Sequence, residues 1–142
     1  MILYCDTSAL VKLYAEEAHS QRMRDAVLQS SATIVSLIAW VEMHAAFGRK
    51  ERTQAITKDQ TKAGLARLDK EWDSFTRLGI DAALVASAGK LAVRYGLRAY
   101  DSVQLASAQL AYQQLKANMV FCCFDKPLNA AAASLEIPLL AP

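Results

Sequence analysis

At 142 residues the chain is the size of one compact domain, long enough to bury a core and too short for two ordinary ones. Hydrophobic residues make up 54% and charged residues 21%, with only three prolines and five glycines; this excludes a disordered or fibrous chain and points to residues 1–142 as a single globular domain. Net charge is only +2, and the basic excess sits in 49–77, with eight Lys/Arg against five Asp/Glu. That stretch reads first as a solvated helix face, with weak attraction for nucleic acid as the alternative.

In chain order, Ile2-Leu3-Tyr4-Cys5 is a short apolar run followed by Asp6-Thr7-Ser8 and then by 9–14, the pattern of a buried strand turning into a helix. The segment 20–28 predicts a second, more polar helix, and the β-branched run 33–36 a strand. A helix is expected over 39–52. The stretch 57–77, free of proline and carrying Leu65, Leu68, Trp72 and Phe75 at three- and four-residue steps, predicts one long surface helix. Gly79-Ile80-Asp81 punctuates the chain; Leu84, Ala88, Leu91 and Tyr95 then mark a helix that Gly96 ends as a C-terminal cap. A further helix is expected to start near Asp101, with Leu105, Ala108, Tyr112 and Leu115 along one face. The apolar run 120–124 reads as a strand covered on both sides and central in its sheet. A short helix over 128–134 leads to 137–140, where Pro138 suggests an edge strand. Strands alternating with helices imply an α/β fold, a three-layer α/β/α sandwich around a mostly parallel sheet.

The N-terminus has no basic region ahead of a long apolar stretch, so a signal peptide is not expected, and no apolar run approaches the ~20 residues of a membrane span. A soluble protein with no membrane partner is the expectation. Three cysteines, two of them adjacent at Cys122 and Cys123, suit neither a disulfide framework nor a Cys-x-x-Cys metal site, which places the chain in the reducing cytoplasm.

Four acids carry the chemistry. Asp6 and Asp125 each follow an apolar strand, at the edge where open α/β sheets bind ligands. Asp101 opens a helix, and Glu42 lies within one on a face shared with Ile38, Ala45 and Ala46, where an unpaired charge is costly. Each has a bland alternative. An aspartate after a strand is a good helix N-cap, Asp101 with Gln104 fits a capping box, and Glu42 could pair with Arg49 or another cation. Spacing alone does not make the four converge. If they do, their mutual repulsion calls for a cation, and few hard oxygen ligands suit Mg²⁺ or Mn²⁺, which could activate water and stabilise the leaving oxygen of a phosphodiester.

Other chemistries find less support. His19 and His44 are far apart and lack Cys or His neighbours, so packing roles are expected of both. No phosphate-cradling glycine motif occurs, and Cys5 reads as core.

At these residues the chain resembles the PIN-domain ribonucleases, and among them the VapC-type toxins of bacterial toxin–antitoxin pairs. The run from Tyr4 through Asp6, Ser8, Leu10 and Lys12 is similar to the family's strand-aspartate-x-Ser-x-Leu-x-Lys opening, and 36–46, with Glu42, to its serine-to-glutamate helix. The most specific stretch is Gly96-Leu97-Arg98-Ala99-Tyr100-Asp101-Ser102-Val103-Gln104-Leu105-Ala106, and 124–128, with Asp125, resembles the fourth motif. The resemblance implies Asp6 and Asp101 as principal Mg²⁺ ligands, with Glu42 and Asp125 completing the pocket directly or through water. It implies hydrogen-bond support from Ser8 and Ser102, for which helix-start capping is the alternative. It further implies hydrolysis of single-stranded or looped RNA, a homodimer, and a VapB-type antitoxin that blocks the acidic pocket. The polar segment 54–70 would be a clip-like projection shaping the dimer or the antitoxin groove.

Two rivals remain at this stage. A phosphoacceptor receiver domain would share the acidic pocket and the Lys126-Pro127 pair, but it carries paired acids after the first strand, where this chain has one. A non-catalytic binding module would keep the fold and bind metal or RNA without turnover.

Overall fold

A computed structural model describes residues 1–141. Four strands, β1 (Ile2–Cys5), β2 (Ala32–Ser36), β3 (Thr76–Leu78) and β4 (Met119–Cys122), form a sheet in the order β3-β2-β1-β4. Every pairing is parallel, with Ile2 opposite Ala32 and Met119, and Cys5 opposite Cys122. Parallel neighbours need crossovers, which the helices supply. These are α1 (Thr7–Leu10), prolonged by a 3-10 turn at Val11–Leu13, then α2 (Ser20–Gln29), α3 (Ile38–Arg52), α4 (Lys58–Glu71), α5 (Ala82–Tyr95), α6 (Ala99–Leu115) and α7 (Lys126–Ser134).

The period-2 alternation of strand side chains divides the core in two. Tyr4, Ile34 and Phe121 point to one face, where Leu84, Leu91, Leu105 and Leu128 of α5, α6 and α7 cover them. Leu3, Cys5, Val35 and Cys122 point to the other, against Leu10, Met23, Met43, Phe47 and Leu68 from the α1 to α4 side. This is the expected three-layer α/β/α sandwich. All three cysteines are free and buried. Among the described residues no helix is long and apolar enough to cross a membrane.

Three elements differ from expectation. The helix expected over 57–77 ends at Glu71; a 3-10 turn, Trp72–Ser74, follows, and Thr76–Leu78 becomes β3, paired with Ile34, Val35 and Ser36. Trp72 and Phe75 keep a helical spacing because both pack under the same core layer, not because the helix continues. The apolar strand β4 is not central. It ends the four-stranded ladder, extended only by a bridge from Phe121 to Leu139, with Phe121 N donating to Pro138 O and Leu140 N to Phe121 O. Helices cover both of its faces, and facial burial is what an apolar run reports; position within the sheet leaves no such mark. The 137–140 segment thus lies at an edge as expected, as a single bridge.

The C-terminal half of the segment 54–70 is docked on the body of the fold, while 58–63 are largely exposed. A capping box between Thr57 and Gln60 starts α4, and Leu68 is fully buried. Gly64 sits where a Cβ would lie 2.6 Å from the Phe47 ring and 3.1 Å from the Tyr14 carbonyl oxygen. Gly96, by contrast, serves by its backbone: at φ 64° it caps α5 in the left-handed conformation.

Gly64→Ala therefore overpacks a seam whose ring partner is fully buried, and chemical denaturation should show a loss of about 1–3 kcal/mol. Gly89→Ala, in the exposed interior of α5 with nothing within 4 Å of the new methyl, should gain about 0.5–1 kcal/mol in the same assay.

Candidate active site

Chain order places β2 and β3 on one side of β1 and β4 on the other, so the order of strand addition reverses between β1 and β4 while all strands stay parallel. The crevice beyond the carboxyl ends of the strands at such a reversal is where open α/β sheets bind ligands. Asp6 leaves β1 at that point, its N–H donating to Cys122 O at 3.1 Å, and Asp125 follows β4. A cleft of about 570 Å³ opens there, and Asp6, Glu42, Asp101 and Asp125 all line it.

Asp6 is the best fixed of the four. Its Oδ1 accepts from Ala9 N at 3.0 Å, capping α1, and from Ser8 Oγ at 2.7 Å. The same Ser8 hydroxyl accepts from Phe124 N at 2.9 Å. One side chain thereby ties the end of β1 to the segment that delivers Asp125. Asp6 is only 4% exposed, and burial pushes its carboxyl up from 3.8 to about 6, against the lowering effect of the Ser8, Cys123 and Ala9 hydrogen bonds.

Glu42, on the second turn of α3, makes no ion pair with Arg49 among the described residues. Its Oε1 accepts instead from Thr7 Oγ1 and Gln104 Nε2, each at 2.8 Å. Gln104 is 1% exposed, and its Oε1 accepts from Tyr4 OH at 2.8 Å. A neutral relay therefore runs from the middle of β1 through α6 to the Glu42 carboxylate. This corrects the capping box expected of Asp101 and Gln104. The helix begins at Ala99 with Arg98 at the cap position, Asp101 stands in its first turn, and Gln104 turns into the core. Asp101 Oδ2 accepts from Arg98 Nε at 3.3 Å, across a pair whose arginine side chain is 85% exposed and so contributes little.

Asp125 caps α7 by accepting from Leu128 N at 3.1 Å, the bland role expected of it, while also lining the cleft. Ser8 and Ser102 part company. Ser8 bonds the acid directly; Ser102 is buried and donates to Arg98 O at 2.9 Å, holding the start of α6 rather than any carboxylate. His19 stacks on Phe124 and His44 Nδ1 lies 2.7 Å from Trp40 O, so both histidines serve packing.

Among the described residues, no three Asp, Glu, His or Cys side chains stand close enough together to enclose a metal ion. The donor set nonetheless has the chemistry of a Mg²⁺ site, which takes one or two carboxylates and keeps several waters rather than a full protein cage. In each of the four acids the recorded bonds engage a single carboxyl oxygen, Oδ1 of Asp6, Oε1 of Glu42, Oδ2 of Asp101 and Oδ1 of Asp125. Thr7 and Gln104 went unnoticed in the sequence as site residues. The available signal was an amide three residues after Asp101 on a helix face otherwise made of Leu105 and Ala108.

Comparison with known proteins identifies the family and supports the fold. The PIN domain family matches residues 3–133. Ribonuclease VapC45 of Mycobacterium tuberculosis is 33% identical over 135 residues, covering 92% of this chain and 89% of the relative. Among solved structures, a toxin–antitoxin complex from Klebsiella pneumoniae superposes with TM-score 0.67 at 17% identity, covering 99% of this chain and 97% of that one. VapC20 of Mycobacterium tuberculosis, described as a sarcin-ricin loop cleaving toxin, gives TM-score 0.67 at 15% identity over 91% of this chain and 94% of its own.

Two outcomes follow from the site's electrostatics. Because the folded pKa of Asp6 is raised, its contribution to stability is fully present below about pH 3.8 and is lost as pH rises through about 6. At pH 7.5 the ionised buried carboxylate costs about 3 kcal/mol. Asp6→Asn keeps the capping oxygen, so in EDTA it should melt above wild type at pH 7.5, with the gap closing at pH 5. Gln104→Leu removes the acceptor that Tyr4 OH uses and a donor to Glu42, and its unfolding free energy should fall by about 1–3 kcal/mol.

Proposed function

The chain belongs to the PIN-domain family, in its VapC-type branch, and on that premise we propose that it is a metal-dependent endoribonuclease, the toxin of a VapBC-type pair. The observation that carries the reading is the meeting of Asp6, Glu42, Asp101 and Asp125 in one cleft at the sheet's reversal point. Asp6 and Asp101 would hold Mg²⁺, or Mn²⁺ in its place, with Glu42 and Asp125 completing the set directly or through water. When bound, the cation supplies Lewis-acid polarisation of the phosphodiester and lowers the pKa of the attacking water.

The chain's own residues do the positioning. Ser8 and the Ala9 N–H hold Asp6 by one oxygen, and the carboxylate so fixed cannot rotate away from the cleft. Thr7 and Gln104 hold Glu42 in the same way, so its second oxygen is an acceptor able to orient the hydrogen of an attacking water. Water adds its oxygen to phosphorus, one P–O ester bond breaks, and the departing oxygen ends protonated. Pre-set acceptors reduce the reorganisation that this step requires. The partners implied are an RNA substrate, a VapB-type antitoxin and a second copy of the chain in a homodimer. The solved relatives include a toxin–antitoxin complex, which supports an antitoxin partner.

Purified chain, free of any antitoxin, should cut a mixed cellular RNA pool into discrete fragments with Mg²⁺ and not with EDTA. Asp6→Asn and Asp101→Asn should each lower the rate by at least about a hundredfold, the scale expected when a cation site is disabled. Wild-type rates in both variants would defeat the reading. Metal-independent RNA binding without any cleavage would favour the binding-module alternative.

A further inference from the structure

The ribonuclease reading identifies a reacting centre but leaves open how a long polyanion could lie on a floor of four carboxylates. Phosphates beside the reacting one are repelled by that floor, so they need cations at the rim. Arg49 lines the cleft from the last turns of α3, below Ala45 and Val41 on the same helix face. Arg52 continues that face. Its Nη1 lies 3.3 Å from where a Cβ on Gly48 would stand, so the guanidinium folds back along α3, just beyond the cleft lining. Neither arginine forms an ion pair among the described residues; of the neighbouring cations Lys50, Arg67 and Arg77 do, with Glu17, Glu71 and Asp73, while Lys58, Lys62 and Lys70 do not but lie outside the cleft lining. Cations in the last turn of a helix also complement its dipole, but that role does not require Arg49 to line the cleft.

The opposite wall carries a different group. Tyr100, in the first turn of α6, lines the cleft and is 53% exposed, and among the described residues its ring joins no aromatic stack or cation–π contact. A solvent-facing aromatic ring beside a basic rim is the equipment of single-strand binding: stacking needs the open face of an unpaired base, and a duplex hides those faces.

We propose that Tyr100 stacks an unpaired base of a single-stranded RNA lying in the cleft, and that Arg49 and Arg52 hold the phosphates that lead the strand away along α3. The identity of the strand as RNA rests on the ribonuclease reading; the juxtaposition of ring, arginines and acidic floor does not. All three side chains are exposed, so their replacement leaves the core intact.

The test is fluorescence anisotropy with a short labelled oligoribonucleotide lacking self-complementarity, alone or annealed to its complement, in EDTA so that the strand stays whole, over a series of salt concentrations. Tyr100→Ala should weaken single-strand binding roughly tenfold at every salt concentration, with Tyr100→Phe binding as wild type and the duplex affinity unchanged. Arg49→Gln with Arg52→Gln should flatten the slope of log Kd against log salt by about 1.4, or about 0.7 for each lost phosphate contact. An unchanged single-strand affinity in Tyr100→Ala, or an unchanged slope in the double arginine variant, overturns the proposal. Those negative results in a protein that still cuts RNA through Asp6 would remove the track and leave the nuclease. The expected losses in a protein that cuts nothing would keep the track and remove the nuclease.

Discussion

The arrangement depends on a carboxylate taken out of water at the end of the central strand β1. Asp6 is buried where the strand order reverses, and its Oδ1 is engaged at once by a helix N-terminus and by Ser8. A buried charge of this kind is costly unless it is paired. Here hydrogen bonds offset part of that cost, and the carboxyl stays pushed up toward neutrality. The charge left uncompensated is what the proposed cation would neutralise.

Around that group the fold uses neutral polar contacts where a salt bridge would have been the simpler choice. Tyr4 reaches Gln104, Gln104 and Thr7 reach Glu42, and Ser8 reaches both Asp6 and the Phe124 amide. A lysine in the place of Gln104 would neutralise Glu42 and compete with any cation. An amide orients the carboxylate and leaves its charge available. Among the described residues the one cation bonded to a cleft acid, Arg98 on Asp101, is almost fully exposed and therefore easily displaced. The full ion pairs lie elsewhere: Glu17 sits between Lys12 and Lys50, and although burial raises its carboxyl, the hydrogen bonds and charges of the two lysines together hold it below the usual range.

Much of this was legible in the residues, for reasons that vary with position. β1 and the helix ending at Gly96 announce themselves because an apolar run, a helical stripe and a left-handed cap are local properties. The parallel three-layer architecture follows from alternation alone. β3 was hidden because Trp72 and Phe75 bury themselves at helical spacing while the backbone has already left the helix. Gln104 was hidden because a capping pattern and an inward-turned amide look alike in sequence, and only the packing of Tyr4 against α6 separates them. Ser102 directly follows one acid as Ser8 closely follows another, yet its hydroxyl bonds the preceding turn. That four acids share a cleft depends on the order of strands, which no spacing along the chain encodes.

The measurement that bears most directly on the central claim is titration of the full chain with Mn²⁺, followed by calorimetry at neutral pH, for wild type, Asp6→Asn and Asp101→Asn. The account expects saturable binding in wild type that is lost or weakened at least about tenfold in each variant. Equal Mn²⁺ affinity in all three proteins, or no binding in a folded wild type, would contradict it.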